Sequence, residues 1–165
     1  MARVELRLGD LTAQPDIDAI VNAANEQLAA GAGVCGAIRR VGGAAVFEEA
    51  ARLGGCATGE AKATGAGDLP NRFVIHAVGP VYSGTPRDAE LLASCHGRAV
   101  EVAAGLGCRS IAFPAISTGI YGYPVAEAAP VAVAAAQAAA DACGLELVRF
   151  VLFSEADLEA FAAAT

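Results

Sequence analysis

Ser110-Ile111-Ala112-Phe113-Pro114-Ala115-Ile116-Ser117-Thr118-Gly119-Ile120-Tyr121-Gly122-Tyr123-Pro124 contains three signals in succession. Residues 110–116 form an apolar run, residues 117–123 are short, polar and glycine-rich, and Pro124 opens an alanine-rich helical pattern ending at Cys143. A strand that is apolar on successive residues is covered on both faces, which points to a sheet held between layers of helix. Phe73-Val74-Ile75 has the same character. Working outward, strand patterns fall at residues 4–8, 19–22, 60–64, 73–78, 110–116 and 147–153. Helical patterns fall at residues 33–53, broken at Gly42-Gly43, and at 88–106, 124–143 and 155–164. This order predicts an α/β fold, a three-layer α/β/α sandwich around a central mixed, largely parallel sheet. Pro130 lies inside the alanine-rich pattern, where a proline removes a helix hydrogen bond, so a kink or a late helix start is expected there.

The chain has 165 residues and no Ser/Pro linker, charge block or internal repeat, so one domain is expected over residues 1–165. Hydrophobic residues make up 55%, but the excess is mostly alanine. No run reaches the about 18 apolar residues of a membrane span, and a membrane protein is not expected. Met1–Glu5 leads directly into a strand pattern without a signal sequence, so a cytoplasmic location is expected. The formal charge of −7 is opposite to the basic footprint of a duplex-binding protein. It leaves room for a small anion held by oriented backbone N–H groups. Cys35, Cys56, Cys95, Cys108 and Cys143 are odd in number and scattered, and only His76 and His96 accompany them. That pattern argues against both a disulfide framework and a metal site.

Three loops follow predicted strands, where ligands bind in open α/β sheets. In Val21-Asn22-Ala23-Ala24-Asn25 the two amides either meet a hydroxyl-rich ligand such as ribose or pin the turn through their own backbone. Gly31-Ala32-Gly33-Val34-Cys35-Gly36 matches G-x-G-x-x-G, but it stands some distance past its strand and lacks the acidic partner of a dinucleotide fingerprint. It reads as a glycine turn at a helix start, with or without an anion on its N–H groups. Ser117-Thr118-Gly119 is a candidate phosphate nest, and the competing reading is a structural strand-to-helix turn. Two anion-capable loops beside one amide-rich loop suggest a diphosphate that carries sugars.

The chain resembles the macro domain family, and within it the MacroD-like ADP-ribose hydrolases. The resemblance rests on Gly9-Asp10, Asp18-Ala19-Ile20-Val21-Asn22-Ala23-Ala24-Asn25, Gly33-Val34-Cys35-Gly36-Ala37-Ile38, Thr58-Gly59-Glu60-Ala61, Val74-Ile75-His76-Ala77-Val78-Gly79-Pro80 and residues 113–124. It implies an ADP-ribose cleft. Asp10 would accept from the adenine amino group, Leu11 would wall the adenine pocket and Phe153 would offer the base an aromatic face. Asn22 and Asn25 would belong to the ribose end, with Asn25 bonding the distal ribose. Backbone N–H groups of Gly33 and Val34 on one side, and of Ser117, Thr118, Gly119 and Ile120 on the other, would clamp the diphosphate, with Ala32 and Cys35 also among the ADP-ribose-binding residues. Tyr121 would pack against the distal ribose and aim its C1″. Asn25, Cys35 and Tyr121 are the expected catalytic residues, without metal or cofactor, and a monomer is expected.

Three positions depart from the MacroD-like pattern. Cys35 stands where many relatives have the aspartate of G-V-D-G, and in this it is similar to the G-V-C of alphavirus macro domains. Arg39 stands where G-A-I-H is common, and Ala32 interrupts the usual glycine run. If Ala32 must take a positive φ, the cost is about 1 kcal/mol or more. The resemblance implies release of mono-ADP-ribose from modified Asp/Glu side chains by water attack assisted by the substrate's diphosphate. O-acetyl-ADP-ribose deacetylation would use the same cleft. The alternatives are a non-catalytic ADP-ribose reader of modified proteins and, from the glycine motif, a nicotinamide-dependent oxidoreductase. His76 in an apolar strand and His96 in a helix pattern read as structural.

Overall fold

The computed structural model describes residues 1–165. The strands are β1 (Arg3–Leu8), β2 (Ala19–Ala23), β3 (Ala61–Gly65), β4 (Phe73–Ala77), β5 (Ser110–Phe113) and β6 (Leu147–Leu152). The helices are α1 (Gly33–Gly42), α2 (Ala44–Ala51), α3 (Arg87–Gly105), α4 (Val125–Cys143) and α5 (Glu155–Ala163). One six-stranded sheet has the order β1-β6-β5-β2-β4-β3. Every neighbouring pair is parallel except β3 with β4, so the expected mixed, largely parallel sheet is observed.

Strand alternation sorts the core into two layers. Ala19, Val21, Ile75, Ile111, Phe113, Val148 and Phe150 join Leu92 and Ala99 of α3, Ala132 and Ala136 of α4 and Phe161 of α5. Ile20, Val74, Ala112 and Val151 point to the other face and meet Cys35 and Ile38 of α1 and Val46 and Phe47 of α2. Beyond the reach of α1 and α2, that second face carries Arg149 of β6, whose side chain is 2% exposed. Its guanidinium bonds both carboxylate oxygens of Asp16 at 2.7 and 2.9 Å and Glu5 at 2.8 Å, which ties the chain between β1 and β2 across the sheet. The Arg149 hydrogen bonds hold Asp16 down to about 2. No helix is long and apolar enough to cross a membrane.

The sequence boundaries shift for local reasons. β5 stops at Phe113, short of residue 116, because Pro114 has no N–H to continue the ladder. β6 ends at Leu152, and Phe153 turns outward at 64% exposure. The break in residues 33–53 falls at Gly43, whose φ of 90° separates α1 from α2. The late start expected at Pro130 does not occur. α4 begins at Val125 and runs through the proline, which sits exposed near its N-terminal end.

Candidate ligand-binding site

At β2 the sheet reverses its order of growth: β4 and β3 lie to one side, β5, β6 and β1 to the other. Loops leaving the C-terminal ends of β2 and β5 therefore diverge, and a crevice opens between them. It is a cavity of about 470 Å³, walled by residues 23–25, 31–35, Gly79, 114–121, 151–153 and Asp157.

The first wall is the entry to α1. Ala32 is extended, with φ −87° and ψ −178°, so the strain considered for it is absent. The positive φ falls one residue later, on Gly33 at 61°. The N–H groups of Gly33, Val34 and Cys35 have no acceptor within the chain and present the positive end of the helix. The loop before them is closed by Asn25, whose Oδ1 accepts from Ala29 N–H at 3.0 Å and whose Nδ2 donates to Ala29 O at 3.3 Å. Asn25 thus pins its turn and lines the cavity at once. Leu28 anchors the same loop from beneath, buried in a small cluster with Ala24, Ala50, Cys56 and Val78 at a φ of 57°.

The second wall is the loop after β5. Ser117 takes a φ of 68°, and its carbonyl accepts from Tyr123 N–H at 2.9 Å. Thr118 Oγ1 donates to Ala115 O at 2.8 Å, and Gly122 N–H to Gly119 O at 3.0 Å. These bonds fold the loop so that the N–H groups of Ser117, Gly119, Ile120 and Tyr121 are left without acceptors. Ser117 Oγ is buried and also unpartnered. A Cβ at Gly79 would collide with Ser117 Oγ and Ile116, which explains why a glycine follows β4. Residues 151–153 form the far wall with Asp157, which lies in the first turn of α5 after the Ser154 cap. Phe153 is an exposed aromatic surface at the rim. No Lys or Arg lines the cavity, and Asp157 is its single charged residue. A bound anion therefore meets backbone dipoles rather than cationic side chains.

Asn25, Ala32, Gly33, Val34, Cys35, Ser117, Thr118, Gly119, Ile120, Tyr121 and Phe153 come together around this cavity. Asp10, Leu11 and Asn22 lie outside its walls. The exposed Asp10 folds back, Oδ1 accepting from Thr12 N–H at 2.9 Å and Thr12 Oγ1 at 2.7 Å. Leu11 is buried in the core on the α1 side. Asn22 is 1% exposed and sits behind Cys35, with Nδ2 at 3.7 Å from Sγ. Burial pushes His76 and His96 down to about 4, and His96 packs against Phe113 and Phe150 in the core. Sequence reasoning gave no role to Gly79 or Asp157. Gly79 had a signal in the Gly79-Pro80 pair directly after an apolar strand, whereas Asp157 had only its place in a helix first turn.

Residues 21–132 match the family model for the macro domain. The chain belongs to the macro domain family. Over 147 residues it is 52% identical to a macro domain-containing protein of Chlorobaculum tepidum, covering 88% of this chain and 86% of that one. Its identity to a macro domain-containing protein of Streptomyces coelicolor is 48%, over 99% of this chain and 98% of the other. Among solved structures, the Oceanobacillus iheyensis macrodomain with ADP superposes with a TM-score of 0.89 at 38% identity, covering 98% of this chain and 88% of that one. The Trypanosoma brucei macrodomain in complex with ADP-ribose gives 0.90 at 36% identity, over 97% and 68%. The crevice of this macro domain thus lies where the macro domain sheet reverses its order, between two loops that carry free N–H groups.

Proposed function

We propose that this macro domain binds ADP-ribose and hydrolyses the bond between its C1″ and a modified Asp or Glu side chain. The observation that carries the reading is the pair of facing loops whose backbone N–H groups lack acceptors, across a cavity of about 470 Å³. A diphosphate supplies the acceptors for both rows, which fixes the two sugars on either side of it. The macrodomains of Oceanobacillus iheyensis and Trypanosoma brucei, which carry ADP-ribose in their structures, support the same ligand class.

In the proposed pose Asn25 faces the distal ribose, using the amide proton and the Oδ1 lone pair that its loop bonds leave free. Tyr121 packs against the same sugar and holds C1″ toward the reacting water. Cys35 occupies the position of the family's aspartate, and the one carboxylate of the lining, Asp157, is on the far wall. The proton acceptor is then the substrate's own diphosphate, bent between the loops. Water oxygen bonds to C1″, its proton passes to a phosphate oxygen, and the C1″–O bond breaks with the side-chain carboxylate as leaving group. Positioning supplies most of the acceleration. The same cleft accepts O-acetyl-ADP-ribose, whose ester is cleaved without a protein attached.

The second reading is an ADP-ribose reader that holds modified proteins without cleaving them, and the absence of a carboxylate at residue 35 favours it. Incubation with a protein mono-ADP-ribosylated on Asp/Glu separates the two. Release of ADP-ribose by the wild type, lost in Asn25→Ala, is the expected result. Tight ADP-ribose binding without release establishes the reader instead.

A further inference from the structure

A chain of polar groups runs from the floor of the cavity to the antiparallel edge of the sheet, and no step described above uses it. Cys35 Sγ lies 3.7 Å from Asn22 Nδ2, and that nitrogen lies 3.1 Å from His76 Nδ1. His76 Nε2 lies 2.9 Å from Thr64 Oγ1, which donates to Gly65 O at 3.0 Å. Asn22, His76 and Thr64 are each buried to within 2%. Counting protons sets the direction of every bond. Thr64 has one hydroxyl proton and gives it to Gly65 O, so it accepts from His76 Nε2–H. The buried ring is neutral near pH 7, which leaves Nδ1 as an acceptor. Asn22 must then face both the ring and the sulfur with Nδ2, whose two protons serve the two acceptors.

Within this row from Cys35 to Thr64, the one atom left without a partner is Asn22 Oδ1, an acceptor. Turning the amide over would set its carbonyl against the His76 lone pair and bury two unpaired N–H protons, which is the costlier arrangement. Gly31 N–H, at 3.2 Å, is a second donor to the same sulfur, and Ala29 O at 3.6 Å is its one acceptor.

We propose that Asn22 and His76 are positioning residues of the cleft: the neutral Nε2–H imidazole locks the Asn22 amide so that its N–H donates to the Cys35 sulfur. The sulfur is thereby held as an acceptor beside the free N–H groups that open α1. Other charged groups stand farther off or are engaged elsewhere. Arg39 and Arg40 are exposed on α1 itself, and Asp157 lies on the far wall. Lys62, opposite His76 in the β3–β4 register, gives its ammonium to Leu53 O and Gly55 O. Phe47 covers the imidazole edge-on at 5.9 Å. The inference concerns the thiol, and its test requires neither ADP-ribose nor turnover.

Asn22→Asp keeps the shape of the side chain and replaces the donor facing the sulfur with a carboxylate. Carbamidomethylation of the full-length folded protein by iodoacetamide at pH 7, followed residue by residue with mass spectrometry, reads the change. Cys143, the exposed cysteine, serves as internal standard. Relative to it, Cys35 is expected to react about tenfold more slowly in Asn22→Asp than in the wild type, because an acceptor replaces the N–H that would stabilise the reacting thiolate. Simple loosening of the packing would speed the reaction, so an unchanged or faster Cys35 overturns the proposal. If that variant does not fold, the wild-type ring still decides. Long-range ¹H–¹⁵N correlations of His76 at pH 7 are expected to show the neutral Nε2–H tautomer, and an Nδ1–H tautomer or an imidazolium overturns the proposal.

Discussion

The two ends of this largely parallel sheet carry hollows of opposite chemistry. At the N-terminal ends of β1, β5 and β6 a groove of about 560 Å³ is lined by Arg3, Asp16, Asp18, Arg109, Ser110, Glu146 and Leu147. At the C-terminal ends lies the cavity of about 470 Å³. The groove is the more charged, and Arg3, Asp16, Asp18 and Ser110 of its lining are engaged by hydrogen bonds or ion pairs within the protein. Asp18 Oδ2 takes Arg109 N–H at 2.7 Å, Ser110 Oγ takes Asp18 N–H at 2.9 Å, and Asp16 is held by Arg149. Glu146 O accepts from Arg3 N–H, and Glu146 N–H donates to Arg109 O, both at 2.9 Å. The cavity has almost no charge, and its donors are free. A double row of free backbone donors, rather than formal charge, distinguishes the end of the sheet proposed to hold the ligand.

The sharpest way to break this contrast is at Asn25, which both closes its loop and faces the proposed ribose. Asn25→Ala is expected to lower single-turnover release of ADP-ribose by about a hundredfold, the scale of a misplaced reacting group. Gly79→Ala comes next. Its methyl group displaces Ser117, so calorimetric affinity for ADP-ribose is expected to fall about tenfold, the equivalent of about 1.4 kcal/mol. Adjacent residues of the α1 entry sharpen the point further. Gly33→Ala forces a left-handed alanine at a cost of about 1–2 kcal/mol, which lowers affinity, whereas Ala32→Gly leaves an extended residue extended and changes affinity less. At the opposite end, Asp18→Ala removes a bond to Arg109 N–H and lowers the melting temperature while the ADP-ribose affinity stays as in the wild type. Smallest of all is the effect of salt. With no cationic side chain in the lining, raising NaCl from about 50 to about 500 mM is expected to shift ADP-ribose affinity by less than about twofold.

Much of this architecture was legible in the sequence because apolar periodicity reports which faces are covered. The runs at 73–75 and 111–113 predicted a sheet covered on both sides, and Gly42-Gly43 predicted the break between α1 and α2. Helix ends near Pro130 were less legible: an exposed proline close to the N-terminus of α4 leaves few carbonyls unpaired, so the helix tolerates it. The loop motifs predicted the two N–H-rich walls, although the backbone angles within them needed coordinates. That is why the strain considered for Ala32 is absent there, and the positive φ falls on Gly33, which adopts it freely, and on Ser117. Long-range neighbours were the least legible. Nothing local in Asn22, His76 and Thr64 shows that three strands bring them into one line behind Cys35, and nothing local in Asp157 brings it to the far wall.

The central claim is that the ligand is held by backbone donors at the C-terminal end of the sheet. Titrating ¹⁵N-labelled protein with ADP-ribose and following amide resonances tests it directly. The largest shifts are expected at Gly33, Val34, Ser117, Gly119, Ile120 and Tyr121, with Arg3, Asp18, Arg109 and Ser110 unmoved. Shifts centred on the N-terminal groove, or saturating ADP-ribose without shifts in both N–H-rich loops, would contradict the account.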